Sequence, residues 1–250
     1  MAKYSLHGGH TEFVQGANWG NRKEHIMDRL VKDAVATKLR ALGHTVYDDT
    51  DEVGKTQAQN LSNIVRKCNS HDVDLVISFH LNAYDGKAKG VEVCYYDQQA
   101  LAAKVSAQLS KDIGWSNRGA KERKELYVLV NTKAPAILIE LGFIDNDADM
   151  AKWHVDNIAN SVVYALTGQR VGGIGNVTTQ PPKQNIIQSG AFSPYETPEV
   201  MSALTSVKMT AKFILQSDGL TYFVSEPTSD AQLSGMKGWL ERKGWYYEVK

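Results

Sequence analysis

Apolar residues along the chain follow two rhythms. Short runs that are apolar at nearly every position, or at every second one, mark strands; longer runs with apolar residues three or four apart mark helices. Lys3–Leu6 reads as a first strand running into His7-Gly8-Gly9-His10. Ile26, Leu30, Ala34, Val35, Leu39 and Leu42 recur at helical spacing, which predicts a helix over 22–42 with those side chains inward and Gly43 as its stop. A strand is expected at His44–Tyr47, then a helix over 56–70 with Leu61, Ile64 and Val65 inward. Leu75, Val76, Ile77 and Phe79 form an apolar strand that ends in His80, Leu81 and Asn82. After it come a strand over Gly90–Tyr96, a helix over 98–113, a polar loop over 117–121, a strand over Leu126–Val130, an apolar strand over Ala136–Phe143 and one helix over 147–166. Strands alternating with helices predict an α/β layered domain, with a central mostly parallel sheet flanked by helices.

The rhythm stops at Gly168. Gly172, Gly173, Gly175, Pro181 and Pro182 lie in a stretch with no apolar period. Beyond it a second pattern begins: strand over Ile186–Phe192, helix over 198–207, a hairpin turning at Ser217-Asp218-Gly219, helix over 231–243 and strand over Trp245–Val249. This is a small βαββαβ plan of ferredoxin-like order. The organisation expected is therefore a domain over 1–168, a flexible linker over 169–185 and a second domain over 186–250.

Composition excludes several functions. Lys plus Arg and Asp plus Glu number 28 each, so the formal net charge is zero. Nucleic-acid partners need a basic face, and none is expected here. MAKYSLHGGH has no apolar signal core. No run approaches the roughly 18 apolar residues of a membrane span. The expectation is a chain made in the cytosol with no membrane anchor. Cys68 and Cys94 lack metal-type spacing and read as reduced thiols.

Four polar residues stand where chemistry is common. His10 follows a strand beside two glycines, Glu24 opens a helix, His80 ends a buried strand, and Glu140 interrupts the otherwise apolar run AILIELGF. A carboxylate inside such a run costs several kcal/mol, of order 3–5, unless paired, beside a cation, or protonated. An ion pair of Glu140 with Arg118 or Arg22 is the plain structural alternative. Two imidazoles and a carboxylate form a zinc set, and a second carboxylate can act as base. Of the remaining histidines, His25 points away from Glu24 around the helix and reads as surface or supporting; His44, His71 and His154 read as structural or exposed.

The motifs GGH at 8–10, ALGHTV closing the first long helix, ISFHLNA at 77–83, GVEVCYY at 90–96, NRGAK at 117–121, LYVLV at 126–130 and PAILIELGFIDN at 135–146 occur in this order. Over 1–168 the chain resembles the zinc-dependent N-acetylmuramoyl-L-alanine amidases of the amidase-3 type, bacteriophage endolysins in particular. The resemblance implies Zn2+ held by His10, Glu24 and His80, with Glu140 as the catalytic carboxylate. It also implies hydrolysis of the amide joining N-acetylmuramic acid to L-alanine in peptidoglycan. The first turn reads LHGGHTE where many members carry an aspartate-alanine-glycine-histidine-glycine turn, so His7 competes with His10, and Glu12 with Glu24. Glu24 stands 19 residues before Gly43, as in the family. Asn82 and Arg118 are candidate contacts to glycan or peptide. GWLERKGWYYEV resembles the C-terminal cell-wall-binding domains of Bacillus-phage endolysins, and Phe192, Tyr195, Tyr222, Phe223, Trp239, Trp245, Tyr246 and Tyr247 supply aromatic surface or core. The implied role is lysis of a Gram-positive host's wall, reached from the host cytoplasm once the membrane is opened by another protein. Two rivals remain open: a zinc peptidase cutting the stem peptide, and a non-hydrolytic wall-binding protein.

Overall fold

In the computed structural model, which describes residues 1–171 and 185–250, the apolar runs of the first unit assemble into a six-stranded sheet. Its strands are β1 (Lys3–Gly8), β4 (Thr45–Asp48), β5 (Leu75–Asn82), β6 (Val91–Tyr95), β7 (Asn117–Glu122) and β8 (Ala136–Phe143); a two-stranded ribbon of β2 (Asn18–Trp19) and β3 (Arg22–Lys23) stands apart. The order is β4-β1-β5-β8-β6-β7, with every neighbouring pair parallel except β6 and β8. Helices α1 (Glu24–Ala41), α3 (Gln99–Ile113) and α6 (Val155–Thr167) pack together on one face. Helices α2 (Gln57–Cys68) and α4 (Tyr127–Asn131) pack against each other on the second. A one-turn helix, α5 (Asp147–Met150), follows β8.

Strand period two sorts the side chains. Leu75, Ile77, Phe79 and Leu81 of β5, with Ile137, Ile139 and Leu141 of β8, enter the core under α1, α3 and α6. Val76 and Leu138 enter the smaller core under α2 and α4, with Ile64, Val65, Val128 and Leu129. His80 and Glu140 alternate onto this second face, at the carboxyl ends of the two strands.

Four expectations need correction. Asn117–Lys121 is not a loop but belongs to the edge strand β7, whose only strand partner among the described residues is β6. An edge strand facing solvent carries polar side chains, and these concealed it. Leu126–Val130 is not a strand. The segment forms α4, burying Val128 and Leu129 against α2. The helix expected over 147–166 is broken into α5 and α6; the Asn146 side chain caps α5, and the His154 ring accepts from Asn157 N at the start of α6. The face of α1 is also rotated. Ile26 and Leu30 are each 49% exposed, whereas His25, Asp28, Val31, Lys32, Val35, Ala36 and Leu39 are buried. Buried positions still recur three and four apart, but two carry charges that find partners: Lys32 Nζ meets Asp48 Oδ2 at 2.6 Å, and Asp28 Oδ2 accepts from Gly9 N at 3.0 Å. His25, read as surface or supporting, is buried.

Both cysteines are free and buried. The chain separates into two compact units, Met1–Ile174 and Gly175–Lys250. The glycines and prolines of the expected linker between 172 and 182 lie outside the described residues.

The second unit runs β9 (Ile187–Ser189), a 3-10 turn (Pro194–Glu196), α7 (Thr197–Ser206), β10 (Ala211–Leu215), β11 (Thr221–Ser225), α8 (Asp230–Lys243) and β12 (Tyr247–Val249). Its sheet order β10-β11-β9-β12, all antiparallel, is the βαββαβ arrangement expected. Phe192 and Phe223 are core; Trp239, Trp245, Phe213 and Tyr247 pack against it. Tyr195 and Tyr246 are exposed. No described helix is long and apolar enough to cross a membrane.

Candidate metal centre

Three elements deliver one side chain each to the carboxyl edge of the sheet. β1 ends at Gly8, and the turn after it carries His10. β5 carries His80 near its carboxyl end. The β2–β3 ribbon brings the chain back so that Glu24 opens α1; Glu24 N bonds to Ala17 O at 3.0 Å.

Glu24 is the hub. Its Oε1 lies 3.1 Å from His80 Nδ1, 3.4 Å from His10 Nε2 and 3.0 Å from Leu81 N, while its Oε2 accepts from Ala17 N at 2.7 Å. The His10 and His80 rings meet edge to face, 5.0 Å between centroids. One ligand atom from each of the three residues lies within 4.8 Å of the others. The alternatives His7 and Glu12 do not join this group: His7 is buried in β1 with Nδ1 against Gly8 O and Ser78 Oγ, and Glu12 is exposed. Two glycines make the room. A Cβ at Gly9 would fall 1.8 Å from His80 Cε1, and one at Gly16, where φ is +69°, would fall 2.4 Å from Glu24 Oε2 and 2.5 Å from the His10 ring.

Glu140 neighbours His80 in the β5–β8 register. Its Oε2 is buried with no hydrogen-bond partner among the described residues. The ion pairs weighed from sequence are otherwise engaged: Arg118 pairs with Glu92 at 2.7 Å and Arg22 with Asp147 at 2.7 Å. Asn82 and Arg118 converge on Glu92; Asn82 Nδ2 lies 3.4 Å from its Oε1, and Arg118 Nε 2.7 Å from its Oε2. Glu92 in turn stands opposite Glu140 in the β6–β8 register. It was not singled out from sequence, although it breaks the strand VEVCYY as Glu140 breaks AILIELGF.

The charges divide sharply. Burial would push the Glu24 carboxyl up, but hydrogen bonds from His10 and His80 override it and hold it below the usual carboxylate range. Burial opposes charge on His80, yet Glu24 lifts its imidazole to about 9. Burial raises Glu140 to about 7; His80 works against this, while Glu24 and Glu92 add to it. Buried His7 is pushed down to about 3, first by desolvation and then by His80.

This donor set fits a divalent cation. Two nitrogens and a carboxylate oxygen, sharing one rim, are what a hydrolytic zinc site uses. Glu24 has no Lys or Arg partner among the described residues; in the metal-free site the raised His80 imidazole balances its charge, and a cation held between the imidazoles would take over that role. A cavity of about 240 Å³ opens beside them, lined by His10, His80, Asn60, Leu61, Tyr127 and Leu138 among others.

Residues 6–168 match the family model described as N-acetylmuramoyl-L-alanine amidase. The chain belongs to this amidase family. Residues 206–249 match the PlyG cell wall binding domain. The chain resembles N-acetylmuramoyl-L-alanine amidase LytC of Bacillus subtilis, at 29% identity over 152 residues, covering 58% of this chain and 30% of LytC. Three further curated relatives are matched over 21%, 45% and 72% of their own length. The solved catalytic domain of the CD27L endolysin, described as targeting Clostridia difficile, is 30% identical with a TM-score of 0.63, covering 68% of this chain and 99% of that domain. The catalytic domain of CwlV, an N-acetylmuramoyl-L-alanine amidase of Bacillus (Paenibacillus) polymyxa, has the same fold, with a TM-score of 0.60 at 18% identity over 67% of this chain and 97% of that domain.

Proposed function

We propose that this chain cleaves the amide between N-acetylmuramic acid and L-alanine in peptidoglycan. One observation carries the reading: His10, Glu24 and His80 converge at the sheet edge while Glu140, half-buried with its inner oxygen short of a partner among the described residues, stands beside His80 on the next strand. Family membership supports it. His10, Glu24 and His80 would hold Zn2+, which when bound supplies a Lewis acid that polarises the scissile carbonyl and acidifies water. Glu140 takes a proton from the attacking water and returns it to the leaving amine of L-alanine, as a group with a pKa near the working pH does best. Asn82 and Arg118, gathered on Glu92, face the substrate and contact glycan or peptide.

The proposed layout is a catalytic domain over 1–168, a linker over 169–185 and a wall-binding domain over 186–250. Tethering to the wall would raise the local concentration of substrate around the first domain. The likeness to the CD27L endolysin supports a phage lysin acting on a Gram-positive wall, reached once the host membrane is breached.

Mass spectrometry of muropeptides from digested walls, with and without a zinc chelator, tests the reading. Chelator-sensitive release of new L-alanine amines, paired with N-acetylmuramic acid freed of its peptide, is expected. Cuts only inside the stem peptide would transfer the site to a peptidase, and no cuts with zinc present would reduce it to wall binding.

A further inference from the structure

His10 is the ligand candidate least secured by regular structure. Gly9 N still bonds to Phe79 O at 3.1 Å, but His10 itself lies beyond the end of β1. Three side chains from the helices take over. Asp28 Oδ2 accepts from Gly9 N at 3.0 Å, Asn60 Nδ2 donates to Gly9 O at 2.7 Å, and Arg29 Nη2 donates to His10 O at 2.5 Å. Arg29 is the most connected of them. It donates to His25 O at 2.6 Å and Asp51 O at 3.2 Å, pairs with Asp28 at 3.2 Å, and grips both oxygens of Glu52 at 3.0 Å. One guanidinium therefore ties the His10 turn to the first helix and to the acidic loop after β4. Its hydrogen bonds go to backbone carbonyls and to Asp28 and Glu52, none to a ligand imidazole or to Glu24.

We propose that Arg29 is a positioning residue for the metal centre: it clamps the His10 carbonyl so that the imidazole is held toward Glu24 and His80 before any ion arrives. The inference rests on the zinc reading above. A ligand on a free turn must be ordered when the ion binds, at a cost in backbone entropy. A turn already fixed by the fold avoids that loss at the binding step. Arginine suits the task because its planar fork addresses several acceptors at fixed angles, whereas a lysine ammonium is a compact point charge.

The test compares wild type, Arg29→Lys and Glu52→Gln as full-length chains. Arg29→Lys keeps the positive charge beside Asp28 and Glu52 but cannot reach the three carbonyls together. Glu52→Gln loosens the guanidinium from an exposed position. Zinc affinity is read by competition with a chromophoric chelator, the metal-free melting temperature by circular dichroism, and muropeptide hydrolysis as zinc is titrated. Arg29→Lys should weaken zinc binding by about 10–100-fold, the usual cost of losing an outer-shell partner, with hydrolysis restored by excess zinc. Glu52→Gln should shift affinity the same way by less. Unchanged affinity in both variants, with wild type binding zinc normally, overturns the clamp alone; so does lost hydrolysis that excess zinc does not restore. Should Arg29→Lys fail to fold, Glu52→Gln decides. A wild type that binds no stoichiometric zinc overturns the zinc reading and the clamp with it.

Discussion

At the scale of single residues, Glu140 and His7 show how much one buried charge controls. Glu140 sits in an apolar strand with an unpartnered oxygen, and burial raises it to about 7. As a base it must be ionised, so activity should fall as pH drops through its pKa. A dication bound beside it favours the carboxylate and draws that acid limb below 7. Glu140→Gln is the direct check: turnover should fall by at least about 10²–10⁴-fold, zinc content by metal analysis should stay at the wild-type level, and the acid limb should vanish from any residual rate. His7 bears on stability instead. It is neutral when folded, pushed to about 3, against an ordinary imidazole value of 6.5. The unfolded chain therefore binds the extra proton between these values, and stability is full above 6.5 and lost as pH falls toward 3. That loss should approach about 3 kcal/mol between pH 7 and pH 4, at 1.36 kcal/mol per unit. Urea unfolding at several pH values should show the slope in wild type and a flatter one in His7→Gln. Glu140 was visible in the sequence as a polar interruption of an apolar strand, whereas His7 read as part of the glycine turn after the first strand; the fold instead keeps His7 within β1, its Nδ1 against Gly8 and Ser78, and leaves His7 Nε2 and Glu140 Oε2 both buried without a partner among the described residues.

At the scale of elements, apolar periodicity located the central strands well, because β5 and β8 are buried on both faces and read as nearly continuous apolar runs, while β1 alternates Tyr4 and Leu6 with polar residues. It failed where burial and polarity part company. β7 is an edge strand and reads as a polar loop; α4 is one short turn or so of apolar residues and reads as a strand, since five residues do not separate the two periods. Helix α1 is the most instructive. Counting every apolar residue as inward placed Ile26 and Leu30 in the core, yet the helix presents Asp28 and Lys32 there instead. Those two charges are tolerable inside because Gly9 N and Asp48 meet them. Asp28 of that stripe also holds Gly9, next to the candidate ligand His10, so the part of α1 least legible as core borders the candidate site. The rotated face makes a prediction for urea denaturation. Leu39→Ala, fully buried, should cost about 2–5 kcal/mol, whereas Ile26→Lys on the exposed face should change stability by no more than about 0.5 kcal/mol.

At the scale of the whole molecule, two units with separate cores imply two separate melting events. The first unit is held by the paired cores on the two faces of its sheet, and the second by a cluster around Ile187, Phe223, Met236 and Leu240. Only the first holds the His10–Glu24–His80 group. A ligand that binds the folded state alone stabilises it by RT ln(1 + [L]/Kd), about 4 kcal/mol at a thousandfold excess over Kd. For a unit of this size 1 kcal/mol shifts the midpoint by about 2–4 °C, so zinc should raise one transition by roughly 8–16 °C. Scanning calorimetry of the full chain should therefore resolve two transitions, because a chain with two cores is not bound to unfold in one step. Adding a chelator should lower one and leave the other where it was. Glu24→Gln removes the carboxylate between the imidazoles, so it should abolish the zinc-dependent shift without moving the second transition. A single transition that moves as a whole on chelation would mean that the two units unfold together, and the independence argued from their cores would be lost.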